Sequence, residues 1–475
     1  CRDKFGEKPV FYSYDKKKNN FIFGSNVNYI KELSTRDYLV DQEKIYDYLR
    51  YGFRSIFSEN KTFFKRIKPV NPGELIEIDK NFKVKISRYL KLEKYKPKIQ
   101  NYSLGKKILK NEIKRIIPKT FRSDVPIAFL LSGGIDSSII SYIAKKNLKK
   151  IKFYSLKIKN KNYDETKNIE LVKKKLNLNH EFIILNKGIN KFDVIDELIE
   201  DIGFPLIGST NIAINQICKK VKKDGYKVIL TGNGGDEIFS GYYAHHLTYL
   251  LSNKKSKNFE QKHMDWENKT KIHVRTEILK NLELYEKNVN KNGYNFEANL
   301  YEKYFKILKK RKKPLKVLNI KNKDFFIKHL DNDLFYDQFP TQAHSMDNIA
   351  MHNSIESRMP YVNDYFYNLR NRMSKDFLIK NGIAKYILRD AFKNKLPNSV
   401  LFNSEKTGFY FPIRECINFK SKKFINQIVK NKFLNKIIKL DILKNKIKNN
   451  DLTQQDEKFI FLLYNAATFM KLNSK

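Results

Sequence analysis

Cysteine is nearly missing from this sequence. Three thiols, Cys1, Cys218 and Cys416, lie widely scattered along 475 residues. They supply neither a disulfide framework nor a cysteine-rich zinc site, and they imply a reducing compartment. Long apolar runs are missing too. The stretch Phe459 to Met470 falls short of the about 20 apolar residues that a bilayer crossing needs, and no charged-then-apolar segment opens the chain. Acidic residues are scarce, 51 Asp and Glu against 94 Lys and Arg, which leaves a net charge of +43. Apolar and aromatic side chains are abundant: hydrophobic residues make up 41%, with 35 Phe and 28 Tyr. That excludes a globally disordered chain. The length exceeds what one ordinary core organises, so two or three domains are expected. A cytoplasmic, multidomain protein is the expectation.

An excess of cations this large raises the question of a nucleic-acid or membrane partner, because clustered Lys and Arg neutralise phosphates. Here the lysines are dispersed, and salt screens distant charges over about 8 Å. Only Lys309-Lys310-Arg311-Lys312-Lys313 forms a dense run, bounded by Pro314. The expectation is therefore solvated lysine-rich faces, with neither nucleic acid nor membrane as partner. The excess would still help to draw in a polyanion such as a nucleotide.

Up to about Tyr95 the chain reads as β-rich. Val10 to Tyr14 and Phe21 to Phe23 are aromatic runs around a Lys/Asn turn, as in a hairpin. Asn71-Pro72-Gly73 signals a turn before the alternating Glu74-Leu75-Ile76-Glu77-Ile78. Lys94 to Pro97 resembles a linker, and the amphipathic spacing of Leu104 to Ile117 predicts a helix that Pro118 ends. The period then changes. Ile127 to Leu131 is an unbroken apolar run, the pattern of a strand buried on both faces. Helix Ile139 to Lys146, strand Ile151 to Ile158, helix Thr166 to Leu176, strand His180 to Leu185, helix Ile212 to Lys223 and strand Lys227 to Thr231 follow. Short connections between alternating strands and helices predict an α/β fold, a doubly wound parallel sheet. Such sheets bind ligands at the carboxyl ends of their strands. From about Tyr242 onward the chain reads as mainly helical.

Chemistry concentrates at two turns. Leu131-Ser132-Gly133-Gly134-Ile135-Asp136-Ser137-Ser138 lies between the first buried strand and its helix. Its glycines let backbone approach a bulky anion, the helix start offers free N–H groups and about half a positive charge, and Ser132, Ser137 and Ser138 add hydroxyl donors. Asp136 repels phosphate, so its expected task is to hold Mg²⁺, a hard cation that takes carboxylate and phosphate oxygens. This is not the Walker pattern, which needs G-x-x-x-x-G-K-[ST]. Thr231-Gly232-Asn233-Gly234-Gly235-Asp236-Glu237 ends the fourth strand. Parallel strands would put both turns on one rim, where Asp136 and Asp236 would share a metal–phosphate cluster.

The Ser-Gly-Gly-Ile-Asp-Ser-Ser turn resembles the pyrophosphate loop of the adenylating ATP pyrophosphatases. With Asp124-Val125-Pro126 before it and the segment Gly232 to Tyr242 behind, the chain resembles the asparagine synthetase family. Ser354-Ile355-Glu356-Ser357-Arg358-Met359-Pro360, Lys385-Tyr386-Ile387-Leu388-Arg389 and Lys406-Thr407-Gly408-Phe409 match in the family's order. The resemblance implies an amide ligase using ATP and Mg²⁺. Aspartate would give β-aspartyl-AMP and pyrophosphate, and ammonia would then displace AMP. It further implies that Leu131, Ser132, Gly133, Gly134, Ser137, Ser138, Leu156, Thr231 and Gly232 surround the nucleotide. Asp136 and Asp236 would hold the metal, and Lys385 would neutralise departing pyrophosphate. A homodimer would also be compatible with the family.

Arg2-Asp3-Lys4-Phe5-Gly6-Glu7-Lys8-Pro9 resembles an internal segment of the family's glutaminase domain, and Asn71-Pro72-Gly73 the turn near that domain's end. The expected division is residues 1–97, the remnant of a glutamine amidotransferase domain, and 98–475, the ligase. Cys1 coincides in type with the N-terminal nucleophile of such glutaminases. The glutamine-binding residues expected after that nucleophile are not found, so a truncated chain using free ammonia is expected, from a glutamine-hydrolysing parent. Asn233 replaces the family's loop carboxylate, and Asn363 stands where Asp is usual. Two other readings therefore stay open: an amidotransferase of the same fold acting on another carboxylate, and a binding module without turnover. A tRNA-modifying relative would suit the basic charge, but the second turn and the Glu356-Ser357-Arg358 region are not expected of one. His245-His246 invites a metal reading, yet no neighbouring Cys or second His pair completes a tetrahedron.

Overall fold

The computed structural model describes residues 1–35, 37–158, 163–185, 191–292, 302–306, 324–406, 408 and 411–473. The basic run 309–313, and Thr407 and Phe409 of the last motif, lie outside the described residues. The expected hairpin is formed by β1 (Phe11–Asp15) and β2 (Asn20–Gly24), antiparallel with Tyr12 opposite Phe23. Asp15 closes its turn by accepting the Lys17 N–H at 3.0 Å. β3 (Lys68–Pro69) joins the free edge of β1, and β4 (Glu74–Ile78) pairs antiparallel with β5 (Val84–Arg88).

The first stretch is less β-rich than the sequence suggests, because helices Val27–Glu32 and Gln42–Tyr51 lie within it. Local chemistry accounts for the second. Asp41 caps it by accepting from the Glu43 and Lys44 N–H groups, and Ile45, Tyr48 and Leu49 share one buried face.

The centre is a five-stranded parallel sheet built from β6 (Ile127–Leu130), β7 (Lys152–Lys157), β8 (His180–Ile184), β9 (Val228–Leu230) and β10 (Glu356–Arg358). Their spatial order is β10-β9-β6-β7-β8. Four of the five follow from apolar runs. β10 escapes such a reading because it has three residues, two of them charged, and its polarity suits an edge position. After β8 the chain returns to the far side of β6 and lays down β9, so the direction of winding reverses between β6 and β9. Doubly wound sheets open a crevice at that reversal.

Helix boundaries shift from expectation. The helix after β6 runs Ile135–Asn147, so Asp136, Ser137 and Ser138 occupy its first turn rather than a preceding loop. The expected helix ahead of β6 spans Tyr102–Ile116, and Pro118 lies within a 3-10 turn, Ile117–Phe121, that continues it. A further helix, Lys191–Ile202, precedes Thr210–Lys223.

Both parts of the chain share one apolar core, which runs without a break from Phe5 to Phe469. The Phe63 and Phe64 rings lie 5.4 and 5.3 Å from Phe469 in the last helix, Gln454–Leu472. Tyr48 donates to the Leu206 carbonyl at 2.6 Å, and Arg54 pairs with Asp337 at 2.7 Å. Among the described residues no helix is long and apolar enough to cross a membrane.

Candidate active site

The two glycine turns touch each other. A Cβ on Gly232 would come within 3.0 Å of the Asp136 Cβ and of the Ser137 nitrogen, so a side chain here would push the β9 turn a few tenths of an ångström away from the helix start. In the first turn Gly133 takes φ +79°, and the loop is laced by its own hydroxyls. The Ser132 N–H donates to Ser137 Oγ at 3.1 Å, the two hydroxyls lie 3.0 Å apart, and Ser138 Oγ donates to the Gly134 carbonyl at 2.7 Å. Gly134 occupies the N-cap position with no side chain, which leaves that helix end open to a ligand.

Beside this anion cradle sits a cluster of four charges. Lys385 Nζ bonds Asp136 Oδ2 and lies 2.6 Å from Asp236 Oδ1, and Lys406 Nζ lies 2.5 Å from the same Asp236 oxygen. Gly241 is required here, because a Cβ would overlap the Asp236 carboxylate. Burial opposes the charge of Asp236, but Lys385 and Lys406 outweigh it and hold the carboxyl below its usual range. Burial pushes Asp136 up despite Lys385, so Asp236 carries the firmer charge. Burial also opposes the charge of Lys385, but the two carboxylates keep its ammonium charged. Asp136 Oδ1 is buried with no hydrogen-bond partner. An orphaned carboxylate oxygen beside a phosphate cradle is a hard-cation donor.

These groups line a cavity of about 470 Å³. Of the residues the sequence singles out, Ser132, Gly133, Gly134, Asp136, Ser137, Gly232, Asp236 and Lys385 face it. Leu131, Ser138, Leu156 and Thr231 are buried and do not line it. The Leu131 N–H is taken by the Tyr154 carbonyl at 2.9 Å and its own carbonyl by Ser155 Oγ, so Leu130 lines the cavity instead. Sequence reasoning missed the parts played by Lys406, Arg389 and Glu165. The first two stand in quoted motifs, which was the available signal. Glu165 lines the wall close to Gly133, and burial pushes its carboxyl up to about 8 against the pull of Lys406. Phe53, from the N-terminal stretch, completes the wall.

The two departures from the family pattern separate. Asn233 lines the cavity. Asn363 is the N-cap of helix Asp364–Arg372 and accepts the Phe366 N–H at 3.0 Å. Asn and Asp cap equally well, so this change keeps its role. His245 belongs to a buried polar group with His329 and Asp333. Its Nδ1 accepts the Tyr242 N–H at 3.3 Å, which leaves its Nε2 as the donor to Asp333 at 3.0 Å. That nitrogen has no lone pair to offer a metal.

Comparison with known proteins agrees with this geometry. The family described as "Asparagine synthase" matches residues 109–469, and "Glutamine amidotransferase domain" matches 1–90. "Asparagine synthetase [glutamine-hydrolyzing] 1" of Bacillus subtilis is 24% identical over 99% of this chain and 75% of its own length. "Asparagine synthetase [glutamine-hydrolyzing] 3" of the same organism is 26% identical over 51% of this chain and 41% of its own, and the Zea mays enzyme is 30% identical over 29% and 25%. The chain thus spans three quarters of the first relative and less than half of the other two. With its cradle, its charge cluster and its parallel sheet, this chain belongs to the asparagine synthase family.

Proposed function

We propose that the chain uses ATP to convert aspartate to asparagine through β-aspartyl-AMP, with glutamine as the ammonia source when its amidotransferase part is whole. The relatives' shared name as glutamine-hydrolysing asparagine synthetases supports aspartate over other acceptors. One observation carries the reading: two glycine turns meet at the reversal of the sheet, with Lys385 set between Asp136 and Asp236. Residues 1–97 belong to the amidotransferase unit and 98–475 to the ligase.

In this reading the Ser132–Ser138 cradle binds the polyphosphate through backbone N–H groups and hydroxyls, and holds the α-phosphorus for attack by the aspartate β-carboxylate. That bond forms as the bond to the β-phosphate oxygen breaks. Lys385 and Lys406 neutralise the charge that gathers on departing pyrophosphate. Positioning and charge neutralisation are what such a transfer requires of a protein. Ammonia then attacks the acyl carbon, AMP leaves, and nitrogen gives up a proton. Asp136 and Asp236 would hold Mg²⁺, which supplies charge neutralisation on phosphate oxygens. The unpartnered Asp136 Oδ1 fits that task. Gly232 sits beside the cradle, and Thr231, Leu131, Ser138 and Leu156 are buried without lining the cavity.

The test is pyrophosphate release and asparagine formation from ATP, Mg²⁺, aspartate and ammonia by the purified chain. Robust pyrophosphate release with another carboxylic acid, but none with aspartate, would overturn the reading.

A further inference from the structure

Lys385 and Lys406 reach Asp236 from separate segments, and one side chain is bonded to both. Arg389 Nε donates to the Ala384 carbonyl at 2.6 Å, on the peptide that leads into Lys385. Its Nη1 donates to the Leu401 carbonyl and, at 2.9 Å, to the Asn403 carbonyl, on the stretch that leads to Lys406. Arg389 is 9% exposed and lines the same cavity.

Each anchored segment needs such a hold. Lys385 takes a left-handed backbone conformation, φ 55° and ψ 31°, which a side-chain-bearing residue keeps only when its surroundings over-determine it. The Tyr386 N–H bonds the Leu378 carbonyl at 3.0 Å on the far side of that turn, and Arg389 secures the near side. On the other segment Asn403 Oδ1 accepts the Glu405 N–H at 3.0 Å, and the Lys406 N–H reaches Tyr243 Oη at 2.8 Å. These bonds turn the chain so that Lys406 Nζ stands 4.1 Å over the Tyr242 ring and faces Asp236. Three carbonyls, one on Nε and two on Nη1, suit a planar fork of donors and not a single ammonium on a flexible stem.

We propose that Arg389 is a positioning residue that locks the Lys385 turn and the Lys406 segment into one unit, so that both ammonium groups meet the pyrophosphate end of the nucleotide together. The inference rests on the proposed function for where the phosphates lie.

The test uses the full chain and measures the dissociation constant of magnesium pyrophosphate by calorimetry, with thermal unfolding of each variant recorded alongside. Lys406→Ala removes one charge-assisted contact and weakens binding on the order of tenfold. Arg389→Ala and Arg389→Lys weaken it at least as much. The double variant Arg389→Ala/Lys406→Ala binds no more than about twofold worse than Arg389→Ala alone, because residues acting through one another are non-additive. Added guanidinium ion restores affinity to Arg389→Ala and leaves Lys406→Ala unchanged. Should Arg389→Ala fail to fold, Arg389→Lys and its double with Lys406→Ala run the same cycle.

Losses that multiply in the double variant, or wild-type affinity in folded Arg389 variants, would overturn the inference. A wild-type chain that binds magnesium pyrophosphate but makes no asparagine overturns the proposed function alone. One that makes asparagine while its Arg389 variants bind normally overturns only the inference.

Discussion

Lys385 shows how much depends on one buried cation. Its side chain is 3% exposed between two carboxylates, and replacing it by methionine leaves both half-buried acids without that partner. Breaking such an arrangement costs about 1–3 kcal/mol, since water reaches both acids and Lys406 still holds Asp236, and losing a preorganised charge at the reacting phosphate lowers turnover by on the order of 10²–10³. Lys385→Met should therefore show a lowered Tm and pyrophosphate release reduced by that factor. Unchanged turnover would detach Lys385 from the chemistry. Glycines give a paired test. A Cβ on Gly241 would lie 2.5 Å from Lys385 Cε and overlap Asp236, whereas one on Gly225 meets nothing within 4 Å but takes φ +85°. Gly241→Ala should abolish ATP binding in equilibrium dialysis, while Gly225→Ala loses about 1 kcal/mol of stability and binds normally. The glycine–serine–aspartate turns were legible in the sequence because few other demands select that composition. Arg389 was not, since its task is to hold backbone carbonyls, which no residue pattern spells out. Lys406 is one lysine in a chain crowded with them.

Strands were legible wherever they carry an apolar run, buried on both faces in β6, β7 and β9 and half-exposed at the sheet edge in β8. β6, β7, β8 and β9 announce themselves as apolar runs, and the glycine turns fix where two of them end. β10 stayed hidden because pairing with β9 decides its fate and its own residues do not. The helices among the N-terminal strands stayed hidden for a related reason: their periodicity is short and interrupted by charge. Ion pairs stitch these elements together. Asp224, just past helix Thr210–Lys223, accepts from Lys152 and Lys220 at 2.7 Å and from Tyr154 Oη at 2.6 Å, tying that helix end to β7. Burial opposes its charge, yet these donors prevail and hold the carboxyl below its usual range. A carboxyl whose folded pKa is depressed contributes stability above its unfolded pKa, about 3.9, and loses it as pH falls further. Asp224→Asn should thus be about 1–2 kcal/mol less stable than wild type in urea unfolding at pH 7. The gap should close as pH drops below about 4. A gap independent of pH would assign the loss to packing.

At the scale of the molecule, the two family matches meet within one core and not across a linker. Arg54 and Asp337 form a largely buried pair between the two parts, and Phe53 beside Arg54 reaches the cavity. Calorimetry should therefore show a single cooperative transition, and Arg54→Ala should lower its midpoint by the equivalent of about 3 kcal/mol without splitting it. Two resolved transitions would mean that the parts hold separately. The last helix, Gln454–Leu472, gives this shared core a consequence in time. Its Phe469 packs on Phe63 and Phe64, and its Asn465 accepts the Leu206 N–H at 3.4 Å. Contacts between residues so distant in sequence close slowly. On a ribosome, the aromatic face around Phe63 and Phe64 must wait, uncovered on that side, until helix Gln454–Leu472 has been made. During that interval the nascent chain offers phenylalanines to any passing holdase, and its yield in a cell is set by that wait as much as by the finished fold.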